Sequence, residues 1–134
     1  MKGTKEKGGK MENQHPKVTI TKRFKFESAH FLPHHKGKCK NWHGHSYVLD
    51  VTVRGYVFEK TGMIIDFGEL KEIVQKTVVD VLDHKLLNDI FENPTAEIMI
   101  IAIAGQIRDV LPKDVFLKKV RLYETDTGWA EWEA

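Results

Sequence analysis

The residues able to do chemistry concentrate in "CKNWHGHSYVLDV", Cys39 to Val51. His43 and His45 stand two apart on a segment that alternates like a strand, so both imidazoles leave the same face. Gly44 removes a side chain between them and eases a tight backbone entry. Two imidazoles do not complete a metal site. His30 ends the preceding strand, and in an antiparallel hairpin that end lies beside the start of the next strand, so His30, His43 and His45 are expected to meet. Three neutral nitrogen ligands with an open fourth position describe a catalytic zinc site. The plain alternative is three hairpin-end histidines with ordinary hydrogen bonds. His34 and His35 could also ligate, but they sit in a loop and read as solvated.

Cys39 is the only cysteine of the chain. It could close the zinc site as a fourth ligand, remain inert, or act as a base beside an open metal position. The last role needs a thiolate, and a free thiol with a pKa of about 8.5 is only a few per cent ionised at neutral pH. A nearby positive charge has to activate it. Further polar residues fall at element ends. "LDHKLLN" places Asp83 next to His84 behind a helix, where a histidine also meets the negative helix pole. "YETDTG" places Glu124 at a strand end. Thr95 and Glu97, in "PTAE", are ordinary residues for a first helical turn.

These residues require a scaffold, and the hydropathy pattern describes one. Val18, Ile20, Phe24 and Phe26 alternate as a first strand, and Tyr47, Leu49, Val51 and Val53 as a second. "FLPHHKGKCKNW" between them reads as a loop and "EKTGM" as a turn. Asp66 and Glu69 form a capping signature before a helical stripe of Leu70, Ile73, Val74, Val78, Val81 and Leu82. "NPTAEIMIIAIAGQIRDVL" reads as a second, more buried helix with Asn93 as cap and Pro94 at the first helical position. "KKVRLYET" and "GWAEWEA" are third and fourth strands. The order ββααββ predicts an α+β fold with a four-stranded antiparallel sheet and two helices on one face. Such a sheet has two open edges, which subunit assembly can cover.

Length and charge bound the rest. The 134 residues suit one domain, with 41% apolar and 30% charged residues. No apolar run approaches the roughly 18 residues of a membrane span, and the Lys- and Gly-rich start does not read as a secretory signal. A lone cysteine fits a reducing, cytoplasmic setting. Residues 1–17 carry +3 of the net +2, which leaves about −1 for the remainder. A basic face for nucleic acid is therefore not expected. Residues 1–16 read as a disordered basic extension and 17–134 as a single catalytic domain.

The motifs "FESAHFL", "CKNWHGHSYVLDV", "TGMIIDF", "LDHKLLN", "PTAE" and "YET", in this order from residue 18 to about 125, resemble the 6-pyruvoyltetrahydropterin synthase family. They are most similar to its branch that makes 6-carboxytetrahydropterin for 7-deazaguanine (queuosine and archaeosine) biosynthesis. The resemblance implies the tunnelling fold, in which subunits join their sheets into a barrel with active sites at the interfaces. It implies a homo-oligomer, a hexamer built as a dimer of trimers. Zinc on His30, His43 and His45 follows from it too. So does Cys39 as base, with His84 of a neighbouring subunit approaching it and Asp83 orienting that imidazole. Glu124 becomes the pterin anchor, with a share in proton relay, and Thr95 and Glu97 line its pocket. The implied substrate is 7,8-dihydroneopterin triphosphate, with Lys36, Lys38 and Lys40 as candidates for its phosphates. Three residues separate Cys39 from His-Gly-His, as in the carboxy branch, whereas animal biopterin enzymes have a longer spacer. A related group that cleaves dihydroneopterin lacks the cysteine. Two rival readings stand beside this one: 6-pyruvoyltetrahydropterin formation, and a zinc-stabilised binding module without chemistry.

Overall fold

The structure is a computed structural model and describes residues 17–134. The extension expected over residues 1–16 lies outside the described residues. The first two alternating segments form the hairpin β1 (Val18–His30) and β2 (His43–Gly55), paired antiparallel without a break from Val18↔Gly55 to His30↔His43. Their even–odd pattern sends Phe24 and Phe26, with Tyr47, Leu49, Val51 and Val53, into one core. Burying a side chain of this size stabilises the fold by about 1.5–3 kcal/mol.

Asp66 caps the first helix as expected, its carboxylate accepting the Glu69 N–H. α1 (Phe67–Val74) then passes through a π-helical turn, Gln75–Val79, into the last short stretch α2 (Asp80–Leu82). The wider turn lets the neighbours Val78 and Val79 both reach the core. The segment after α2 holds a strand that the sequence pattern does not predict, β3 (Lys85–Leu86), which pairs parallel to β1 at Ser28 and Ala29.

The second helix, α3 (Ala96–Val110), starts later than expected. Thr95, not Asn93, is its cap, and its hydroxyl accepts the Ile98 N–H at 3.1 Å. The Asn93 side-chain oxygen is buried without a partner, so it cannot serve the helix. Pro94 precedes the helix instead of opening it. α3 buries Met99, Ile100, Ile103, Ala104 and Ile107, while Ile98 and Ile101 are 45% and 62% exposed.

β4 (Phe116–Thr125) and β5 (Gly128–Glu133) complete the sheet. A bulge opposite Thr52 and Val53 shifts the parity of β4, so that Leu117, Val120 and Leu122 all face the core. The strand order is β3-β1-β2-β4-β5. The expected four-stranded antiparallel sheet is thus a five-stranded one with a short parallel edge. The two-residue β3 is too short to carry a period in the sequence. Gly62, at φ 72, takes the left-handed position of the turn expected before α1. Gly44 is less constrained than expected: a Cβ there would lie 3.7 Å from the Ser28 carbonyl oxygen, an ordinary contact.

Candidate metal and catalytic site

His30 and His43 are partners in the last pair of the β1–β2 ladder, and His45 follows on the same face of β2. The ladder makes the three imidazoles converge, with one ligand nitrogen from each within 4.8 Å of the others. Their surroundings orient them. His30 Nδ1 lies 2.9 Å from the Pro94 carbonyl oxygen and His43 Nδ1 lies 2.8 Å from that of Asn41. A carbonyl can only accept, so each ring carries its proton at Nδ1 and presents a bare Nε2. The two Nε2 atoms face each other at 3.0 Å. Two lone pairs at that distance repel unless a cation lies between them. His45 Nε2 is buried and has no hydrogen-bond partner.

This donor set fits zinc. In a tetrahedral site with Zn–N bonds near 2.0–2.1 Å, ligand nitrogens lie about 3.3 Å apart. Burial also favours the neutral form of two of the imidazoles. His30 and His45 are both pushed below the ordinary value of 6.5, first by desolvation, with the Glu124 carboxylate opposing. The neutral form is the one that ligates. The Tyr47 hydroxyl lies 3.3 Å from His30 Nδ1 beneath the cluster, and burial raises its pKa above the ordinary range.

Glu124 lies closer to the histidines than its separation along the chain suggests, because β4 pairs directly with β2. Its Oε2 lies 3.6 Å from His30 Nε2 and 3.8 Å from His45 Nε2. Cys39 is half-buried in a single 3-10 turn, Lys38–Lys40, and stands outside the metal-competent grouping. Its carbonyl oxygen accepts the Leu32 N–H at 2.7 Å. Lys36, Lys38 and Lys40 are exposed, as are His34 and His35, and Glu97 lies exposed in the first turn of α3.

Asp83 and His84 form a tight pair, with His84 Nδ1 2.9 Å from Asp83 Oδ2. The pair is held against β1. The Glu27 N–H donates to Asp83 Oδ1 at 2.8 Å, and the Glu27 carbonyl accepts the His84 N–H. That backbone donor is the main reason the Asp83 carboxyl sits below its ordinary value, followed by the bond from His84. His84 is 76% exposed and has φ 57, a conformation that a residue with a Cβ seldom adopts. Strain of this kind clusters at functional sites. His84 borders an open hollow of about 500 Å³ together with Glu27, Gly44, His45 and Ser46. Among the described residues, neither member of the pair makes a hydrogen bond or ion pair with Cys39.

Sequence reasoning names the three converging histidines but misses what aims them. The orienting groups are backbone carbonyls of Pro94 and Asn41, which carry no side-chain signal. The backbone of Glu27 as the seat of the Asp83–His84 pair is hidden for the same reason.

A family model described as 6-pyruvoyl tetrahydropterin synthase matches residues 19–134. Similar proteins include the 6-carboxy-5,6,7,8-tetrahydropterin synthase of Haemophilus influenzae, 33% identical over 85% of this chain and 97% of that one. The 6-pyruvoyl tetrahydrobiopterin synthase of Dictyostelium discoideum is 41% identical over 84% and 93%. The dihydroneopterin monophosphate aldolase of Pyrococcus furiosus is 39% identical over 87% and 98%. Among solved structures, the Caenorhabditis elegans 6-pyruvoyl tetrahydropterin synthase superposes with a TM-score of 0.79 at 28% identity, over 90% of this chain and 97% of that one. The architecture is the tunnelling fold, and with a family match across all but the first residues, the chain belongs to the 6-pyruvoyl tetrahydropterin synthase family.

Proposed function

We propose that the chain is a zinc-dependent carbon–carbon lyase. It converts 7,8-dihydroneopterin triphosphate and water to 6-carboxy-5,6,7,8-tetrahydropterin, acetaldehyde and triphosphate, in 7-cyano-7-deazaguanine/queuosine-type biosynthesis. The observation that carries this reading is the converging histidine trio, with bare Nε2 atoms on His30 and His43, in a chain of this family. Zinc bound there supplies a Lewis acid for the hydroxyl oxygens of the substrate side chain. Cys39, outside the metal grouping, removes a carbon-bound proton. His84, oriented by Asp83, holds the positive charge that favours the thiolate. Glu124 accepts the adjacent ring N–H and amino donors of the pterin. Thr95 and Glu97 border that pocket, and the exposed Lys36, Lys38 and Lys40 face the triphosphate.

The reading includes a cytoplasmic homo-oligomer, a hexamer of two trimers, with His84 serving a neighbour's Cys39. Among the described residues, no hydrogen bond or ion pair joins the two within one chain, which is compatible with this arrangement. The sheet supports it: among the described residues, most of the outer edge of β1 and the outer edge of β5 are left open to pairing with another chain. Among the described residues, no helix is long and apolar enough to cross a membrane.

The Dictyostelium relative, at 41% identity, favours a second reading, elimination of triphosphate without carbon–carbon cleavage. Mass analysis of the products from zinc-loaded protein and dihydroneopterin triphosphate decides. Acetaldehyde with a 6-carboxy product supports the proposal, and a retained three-carbon side chain supports the second reading. Turnover of the monophosphate alone would favour the activity for which the Pyrococcus relative is named. Zinc binding without turnover of either compound would leave a binding module.

A further inference from the structure

The segment that carries Asp83 and His84 continues along the edge of β1 to Asn88, which neither the metal site nor the proposed reaction employs. Alternate residues of β1 turn their backbone groups toward this segment. Glu27 meets the Asp83 carboxylate and the His84 N–H, and Ala29 meets β3. Phe31 comes next, just past the end of β1, where the neighbouring chain has already turned into a 3-10 helix, Leu87–Asp89. Its backbone would lack a partner there, but the Asn88 amide supplies one on both counts. Asn88 Oδ1 accepts the Phe31 N–H at 2.9 Å, and Asn88 Nδ2 donates to the Phe31 carbonyl at 2.9 Å. One side chain thus does the work of one more strand residue. Leu87 beside it is fully buried, so the amide hangs from a fixed point.

Phe31 and Leu32 are also the residues that hold the cysteine loop. The Phe31 ring packs edge-on against Trp42, with centroids 4.5 Å apart. The Leu32 N–H donates to the Cys39 carbonyl. The loop is therefore held at Cys39 by Leu32 and at Trp42 by Phe31, and Asn88 fixes both backbone groups of Phe31, including the carbonyl of the peptide unit that carries the Leu32 N–H. We infer that Asn88 is a positioning residue: its amide extends the β1 edge by one residue and so fixes where the Cys39 loop begins and where its thiol stands. The catalytic consequence rests on the reading of Cys39 as base, whereas the structural one does not.

The test uses the full, zinc-loaded chain and its single thiol. In Asn88→Ala, amide exchange at Phe31 and Leu32 and alkylation of Cys39 by iodoacetamide should each rise about tenfold or more, as expected when two hydrogen bonds are lost. Amides of the paired β1–β2 core should keep their protection. Turnover should fall mainly in kcat, with KM little changed. Asn88→Asp is the second variant, should the first fail to fold. Its carboxylate accepts from Phe31 but cannot donate. In acid its protonated form does both, so Phe31 exchange should approach that of wild type at the same pH. Unchanged exchange and alkylation would overturn the inference. So would uniform acceleration across the whole sheet, which marks a general loss of stability. A loosened loop with undiminished turnover would uphold the role of Asn88 and instead refute Cys39 as the base.

Discussion

At the scale of single residues, two side chains decide between rival chemistries. Cys39 stands outside the metal grouping, on a turn four residues before His43. Cys39→Ala should therefore keep its zinc and fold while losing about 10²–10⁴-fold in rate, the usual contribution of a positioned base. Zinc lost in parallel with activity would make the cysteine a ligand. Glu124 poses a sharper question because its carboxylate lies 3.6 and 3.8 Å from two of the imidazoles. As the pterin anchor it makes a charge-assisted pair worth about 2–3 kcal/mol. Glu124→Gln should then weaken substrate affinity roughly 30- to 150-fold at about 1.4 kcal/mol per tenfold, with metal content intact. Loss of metal with unchanged pterin affinity would show that Glu124 serves the ion.

At the scale of elements, the pieces that matter are the β1–β2 ladder and the short segment from Asp83 to Leu86. The ladder needs no special residue to bring the histidines together, since its register alone pairs His30 with His43. The segment is more delicate. It is held to β1 by a two-residue ladder and by the Asp83 carboxylate on the Glu27 N–H. Because that bond lowers the folded-state pKa of Asp83 from 3.8, the unfolded chain takes up the proton first. The stabilisation is thus complete above the unfolded value and is lost as pH falls through the lower folded one. Asp83→Asn should flatten the acid limb of a stability–pH profile. Equal limbs in wild type and variant would show that the bond contributes nothing to holding the segment. The effect is modest, since the Asp83 side chain is 37% exposed.

At the scale of the whole molecule, the site is expected to be complete only in an assembly. Among the described residues, most of the outer edge of β1 and the outer edge of β5 are unpaired. Open edges invite pairing with another chain. Inactive Cys39→Ala subunits mixed with inactive His84→Ala subunits should recover activity, approaching roughly a quarter of wild type at equal amounts by random assortment. No recovery after demonstrated subunit exchange would place both residues in the same chain's site.

The sequence by itself determined the two-stranded frame, the capped first helix and the meeting of His30, His43 and His45. Each of these follows from a local period or spacing, and a period of two fixes which side chains share a face. Tertiary structure decided what local patterns cannot encode. Pro94 and Asn41 aim two imidazoles through backbone carbonyls, which every residue type possesses. The cap of α3 moved from Asn93 to Thr95 because burial, not propensity, settled which oxygen was free to accept. β3 exists because the chain leaving α2 happens to run beside an unpaired stretch of β1, a contact between residues 57 positions apart in the bonds of Phe31 with Asn88. Glu124 reaches the histidines across the β2–β4 pairing in the same way. Contacts of that range depend on how the whole sheet packs, and no window of sequence contains both partners.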